Sequence, residues 1–88
     1  LTKAIEHLKR AEKDEPRLTR IKRLLATAYG KMGQEQKARV YLAEEALMQG
    51  RRDEASRMAS AVIKQLPKGT PEAIRAQDII NAVGEPNK

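Results

Sequence analysis

The chain has 88 residues and a formal net charge of +6; 34% of its residues are charged, two are tyrosine, and none is Phe, Trp or Cys. That length allows one domain at most, near the size where a single core is barely sufficient and about 60 to 70% of the chain's surface is buried on folding. Without cysteine there is neither a disulfide framework nor a thiolate metal site, and no apolar run is long enough to span a bilayer.

Ala4, Ile5, Leu8 and Ala11 stand at helical spacing and predict a first helix over about 2–14, closed by Pro16. A second helix is expected over 18–32, with Leu18, Ile21, Leu25, Ala28, Tyr29 and Met32 on one apolar face and Arg17, Arg20, Lys22 and Arg23 on its other sides. Gly33 suits the left-handed position after its end. The third, over 35–48, is apolar on two faces, with Ala38, Leu42 and Ala46 on one and Val40, Ala43 and Leu47 on the other, as expected of a helix covered from both sides.

Gly50 ends that helix, and Asp53 is a start signal for a fourth over 53–66, whose inner face is Ala55, Met58, Ala59, Val62, Ile63 and Leu66. Pro67 and Gly69 end it. The fifth, over 71–83, has Thr70 to cap its first amides, Pro71 where a missing N–H does no harm, and Glu72 at the positive end of the dipole. Ile74, Ala76, Ile80 and Val83 are its expected inner face, with Gly84 and Pro86 ending it and Glu85 to Lys88 frayed. The segment reads as a single all-α domain, a piece of a longer chain.

Spacing ties these helices together. Ala4, Leu8 and Pro16 precede Ala38, Leu42 and Gly50 by 34 residues, and the Gly33, Ala38 and Leu42 positions recur after 17 at Gly50, Ala55 and Ala59, followed by Pro67. The third helix therefore serves as the second member of one pair and the first member of the next. Lys22, Leu25, Ala26, Tyr29, Ala38 and Leu42 fall on the slots of the tetratricopeptide pattern, with Gly50 where its proline would stand. Lys22 departs from it by replacing an aromatic, and Leu42 by replacing Phe. The resemblance implies a right-handed solenoid of about five antiparallel helices; a plain helical bundle is the alternative.

Catalytic chemistry finds little support. A helical zinc-hydrolase site needs two histidines four apart, and the only one here, His7, reads as solvated on the polar side of the first helix. Glu44 and Glu45 are adjacent on a helix, so they diverge by about 100 degrees and read as ordinary surface. The glycines lie at or near helix ends and form no phosphate loop. The cluster Arg17, Arg20, Lys22 and Arg23 raises nucleic-acid binding, but no aromatic platform for bases accompanies it.

From Leu18 to Val83 the order Leu24-Leu25-Ala26-x-Ala28-Tyr29-Gly30-x-x-Gly33, Ala38-x-x-x-Leu42-Ala43-Glu44, Gly50-Arg51, Leu66-Pro67-x-Gly69-x-Pro71 and Arg75-Ala76-Gln77-Asp78-Ile79 resembles the C-terminal tetratricopeptide domain of bacterial BepA-like, HtpX-related zinc metallopeptidases. The resemblance implies a non-catalytic region of a periplasmic or envelope enzyme that holds protein clients or outer-membrane assembly partners. Any zinc and its ligands would belong to a domain upstream, so no cofactor is expected in this segment. A free-standing cytoplasmic scaffold and a nucleic-acid accessory domain stay open as alternatives. In tetratricopeptide stacks the first helices line the concave surface, which implies Arg20, Arg23, Thr27 and Lys31 as the partner-binding residues, suited to an acidic peptide.

Overall fold

A computed structural model describes residues 2–84. They form five helices and, among the described residues, no strand: α1 (Thr2–Asp14), α2 (Thr19–Lys31), α3 (Glu35–Met48), α4 (Arg52–Gln65) and α5 (Pro71–Gly84). The expected end signal at Pro86 and the frayed Glu85 to Lys88 lie outside the described residues. Each helix packs on the next in sequence, and α3 also packs on α5, whereas α2 and α4 make no mutual contact. Of the two pairings expected of α3, the one that makes it the first helix of a pair with α4, and hence a neighbour of α5, has this cross-contact. A pair beginning at α2 would need contact between α2 and α4, which the fold does not make.

Backbone closure explains the tight turns on either side of α3. At the end of α2 the Gly33 amide donates to the Gly30 carbonyl at 3.0 Å and the Gln34 amide to the Tyr29 carbonyl at 2.9 Å. The same closure recurs after α3, where the Gly50 amide donates to Leu47 at 3.1 Å and the Arg51 amide to Ala46 at 2.9 Å. Both glycines hold positive φ, 78° and 81°, as this left-handed cap demands. A Cβ at either position would meet no atom within 4 Å, so substitution acts on backbone conformation alone. Gly33→Ala and Gly50→Ala should each cost about 1 to 2 kcal/mol and lower the thermal midpoint by several degrees. Midpoints that stay put would mean the helix ends relax into another turn.

α3 is the shared wall of two apolar clusters. Val40, Ala43 and Ala46 pack with Ala55, Ala59 and Val62 of α4 and Ala76 and Ile79 of α5. Tyr41 packs with Ile5 of α1 and Ile21, Leu25, Ala26, Ala28 and Tyr29 of α2, with Ala38 and Leu42 partly buried against them. The two-faced reading of α3 holds in kind but not in membership, because Ala46 belongs with Val40 and Ala43, and Tyr41 takes its place beside Leu42. Ala43, Ala46, Ala55, Ala59 and Ala76 are fully buried, and such small side chains let the helix backbones approach closely.

Three expectations need correction. Leu18 and Met32, expected on the inner face of α2, are 49% and 39% exposed. They flank the helix as its N-cap and C-cap residues, outside the part that α1 and α3 cover. On α5, Ile74 is 52% exposed while Ala73, Ala76 and Ile79 are buried, so the inner arc is rotated by one residue, and Ala76 and Ile79 pack in the cluster with α3 and α4. Asp53, the expected start signal of α4, is not its first residue: the helix begins at Arg52, with Arg51 as an N-cap that makes no side-chain capping bond, and Asp53 lies in the first turn, where its charge favours the helix dipole. Thr70 does cap α5, its hydroxyl oxygen accepting from the Ala73 amide at 3.3 Å. Arg52 closes the other end of that helix by donating to the Ala82 and Val83 carbonyls at 3.0 and 2.9 Å.

Candidate functional site

Because α2 and α4 flank α3 without touching, a groove runs between them. Arg23 and Thr27 of α2, Leu42 and Glu45 of α3, Arg51 just before α4, and Glu54 and Met58 of α4 line it. Two of the four expected partner-binding residues, Arg23 and Thr27, therefore share one groove. Arg20 and Lys31 lie one turn before and one turn after them on the same edge of α2. Both are exposed. Leu24, 44% exposed, sits in the same stripe and gives it an apolar contact point.

The groove's arginines are already engaged. Arg23 forks onto Glu45, its Nε donating to Oε2 at 2.8 Å and its Nη2 to Oε1 at 3.1 Å. The pair is lopsided: the Arg23 side chain is 62% exposed and that of Glu45 only 4%. The guanidinium thus lies as a lid over a buried carboxylate, which holds the arginine's pKa above its ordinary value. An incoming carboxylate would have to displace Glu45 and strand it. Arg51 likewise donates to Glu54 at 2.9 Å and to the Gln49 side chain at 2.8 Å, and the Thr27 hydroxyl donates to the Arg23 carbonyl at 3.1 Å. Among the described residues Arg20 and Lys31 form no ion pair, so they are the cations of this edge open to a partner.

A second polar constellation crosses the interior, and it overturns the reading of Glu44, Glu45 and Lys22 as surface. Glu45 is buried, and the Glu44 carboxylate accepts from Lys22 Nζ at 3.1 Å and from Arg75 Nε and Nη2 at 3.0 and 2.6 Å. Lys22 also bonds Glu12, which extends the chain of charges to α1. The side chains of Lys22, Glu44 and Glu12 are 13%, 19% and 20% exposed. Tyr41 lies within this seam, with Lys22 5.7 Å and Arg75 4.5 Å from its ring centroid, and it stacks on Tyr29 at 5.7 Å with the rings 6° from parallel. Cations over aromatic faces gain when desolvated. Lys22 in the aromatic slot is thus a buried cation held by two carboxylates and a ring. The sequence signal was available: two adjacent glutamates on a helix covered from both sides cannot both reach water.

The seam makes alkaline stability a test. Burial opposes the charge on Lys22, but Glu12 and Glu44 outweigh it and raise its pKa above the ordinary 10.5. A raised folded-state pKa gives a stabilisation that is complete below the unfolded value and is lost as pH rises through the folded value. The difference in thermal midpoint between the wild type and Lys22→Met should hold steady through neutral pH and change only above about 10.5. A change beginning near neutrality would assign the titration to another group.

Among the described residues no cluster of His, Asp or Glu is arranged to hold a metal ion, and no helix is long and apolar enough to cross a membrane. His7 is exposed. No family model, curated protein or solved structure matches the chain.

Proposed function

We propose that this chain is a non-catalytic protein-interaction module of the tetratricopeptide type, which takes an acidic segment of a protein partner along the groove between α2 and α4. The observation that carries the reading is the separation of α2 from α4 across α3, which leaves a trough with Leu42 and Met58 as apolar floor and Arg20, Lys31 and Leu24 along one open edge. Helix pairs closed by short turns present such surfaces, and exposed cations speed encounter with an acidic partner. The place of the module, as the client-binding tail of an envelope zinc metallopeptidase, rests on the sequence resemblance from Leu18 to Val83.

The test is a titration of a fluorescent acidic peptide against wild type and the Arg20→Glu, Lys31→Glu double variant at two salt concentrations. Arg23 is left in place because its loss would expose Glu45 and confound binding with stability. Reversing two charges on the edge should weaken binding by about 10- to 100-fold, and salt should weaken the wild type more than the variant. Equal affinity of the two proteins would remove this edge from the site.

A further inference from the structure

On a different side of α3 from the groove, a small hollow is lined by Lys9 of α1, Tyr29 of α2, Lys37, Val40 and Tyr41 of α3, and Glu72 and Arg75 of α5. Its cations come from three helices, and α1 makes no close backbone approach to α3 or α5. Lys9 and Lys37 converge on one ring, their Nζ atoms 6.0 and 5.3 Å from the Tyr29 centroid. Two like charges brought to one hollow repel unless an anion lies between them.

Carboxylates within the fold do not fill that role. Among the described residues Lys9 has no acidic partner, and Lys37 has only Glu72 at 4.0 Å, too far for a hydrogen bond. Arg75 is held by Glu44 from the other side, with 36% of its side chain still open. The Tyr29 phenol raises the Lys9 pKa above its ordinary value, so this lysine is charged throughout the neutral range. The tyrosine floor excludes water from below while the ammonium groups stay accessible from above, and low local dielectric strengthens charge-assisted bonds to an anion.

We propose that this hollow is a binding site for a small multivalent oxyanion of the phosphate type, seated between the Lys9 and Lys37 ammonium groups with the Arg75 guanidinium beside them. Glu72 is its built-in competitor: the carboxylate draws Lys37 away when the site is empty and yields it when the anion arrives. Bound anion adds a tie from α1 to α3 and α5, beside the links that run through α2, the Glu12–Lys22–Glu44 seam and the cluster that holds Ile5 and Tyr41. The site is independent of the groove between α2 and α4, so either can fail without the other.

The experiment titrates inorganic phosphate into the ¹⁵N-labelled chain at constant ionic strength, with chloride as the balancing anion, and follows amide shifts and hydrogen exchange. Saturable shifts at Lys9, Tyr29, Lys37 and Arg75 are expected, with a dissociation constant of about 1 mM, the scale of a few charge-assisted bonds at an open site. Exchange should slow most in α1. Lys9→Met and Lys37→Met should each weaken binding by about tenfold, and Glu72→Gln should tighten it by about threefold. All three positions are at least partly exposed, and circular dichroism checks that each variant folds.

A parallel titration with a phosphoserine peptide, blocked at both ends, identifies the source. Tighter binding than inorganic phosphate assigns the anion to a partner's modified side chain, and weaker binding to a free ion; both support the site. Shifts that grow linearly without saturating, or that survive both lysine substitutions, would overturn it. So would weaker binding by Glu72→Gln.

Discussion

Glu44→Ala is expected to be strongly destabilising, costing about 3 kcal/mol. The Glu44 carboxylate accepts three bonds from two cations on different helices, and its removal leaves Lys22 and Arg75 near Tyr41 with no anion between them. Breaking a buried pair typically costs 3 to 5 kcal/mol because the remaining charge is stranded. The lower end applies here, since Lys22 keeps Glu12 and Arg75 is partly exposed. A domain of this size holds roughly 4 to 13 kcal/mol in all, so urea unfolding should show a much lower midpoint. The triple change Lys22→Met, Glu44→Leu, Arg75→Met should recover most of the loss, because well-packed apolar side chains often match a buried ion pair. A Glu44→Ala protein as stable as wild type would mean that the seam is solvated and contributes little.

Ala55→Leu is expected to cost about 2 to 3 kcal/mol. Ala55 is fully buried on α4 against α3, and a leucine there must push the two backbones apart. Ala38→Leu should cost less than about 1 kcal/mol: Ala38 stands five residues after a helix-ending glycine just as Ala55 does, but it is only partly buried, and a larger side chain can lean toward solvent. The two thermal midpoints, measured side by side, separate positions that the repeat spacing makes equivalent. Equal losses at both sites would mean that Ala38 is as fully enclosed as Ala55.

What could be read from the sequence is what depends on neighbours along the chain. Apolar spacing and terminal glycines locate the helices because a helix face and a left-handed cap are local properties, and the 17-residue step from Gly33 to Gly50 reappears as the same backbone closure at both ends of α3. The charged seam was not readable in this way. Glu44 meets partners 22 positions before it and 31 after it, and which carboxylate meets which cation follows from how α2 and α5 pack on α3. Ile74 illustrates the same limit on α5: periodicity places it near the apolar side, but the packed arc runs through Ala73, Ala76 and Ile79 and leaves Ile74 outside. The tetratricopeptide resemblance implies Arg23 as a partner-binding residue, and only its buried partner Glu45 shows that it is committed within the fold.

The central claim, that a partner lies in the groove between α2 and α4, is tested most directly by amide chemical-shift mapping of the ¹⁵N-labelled chain with an acidic peptide bound. The account predicts that shifts concentrate at Arg20, Leu24, Thr27 and Lys31 on α2 and at Glu54 and Met58 on α4, with Tyr29 and Lys37 unmoved. Shifts confined to the apolar surface of Ile63, Leu66 and Ile74, or none at any peptide concentration, would contradict it.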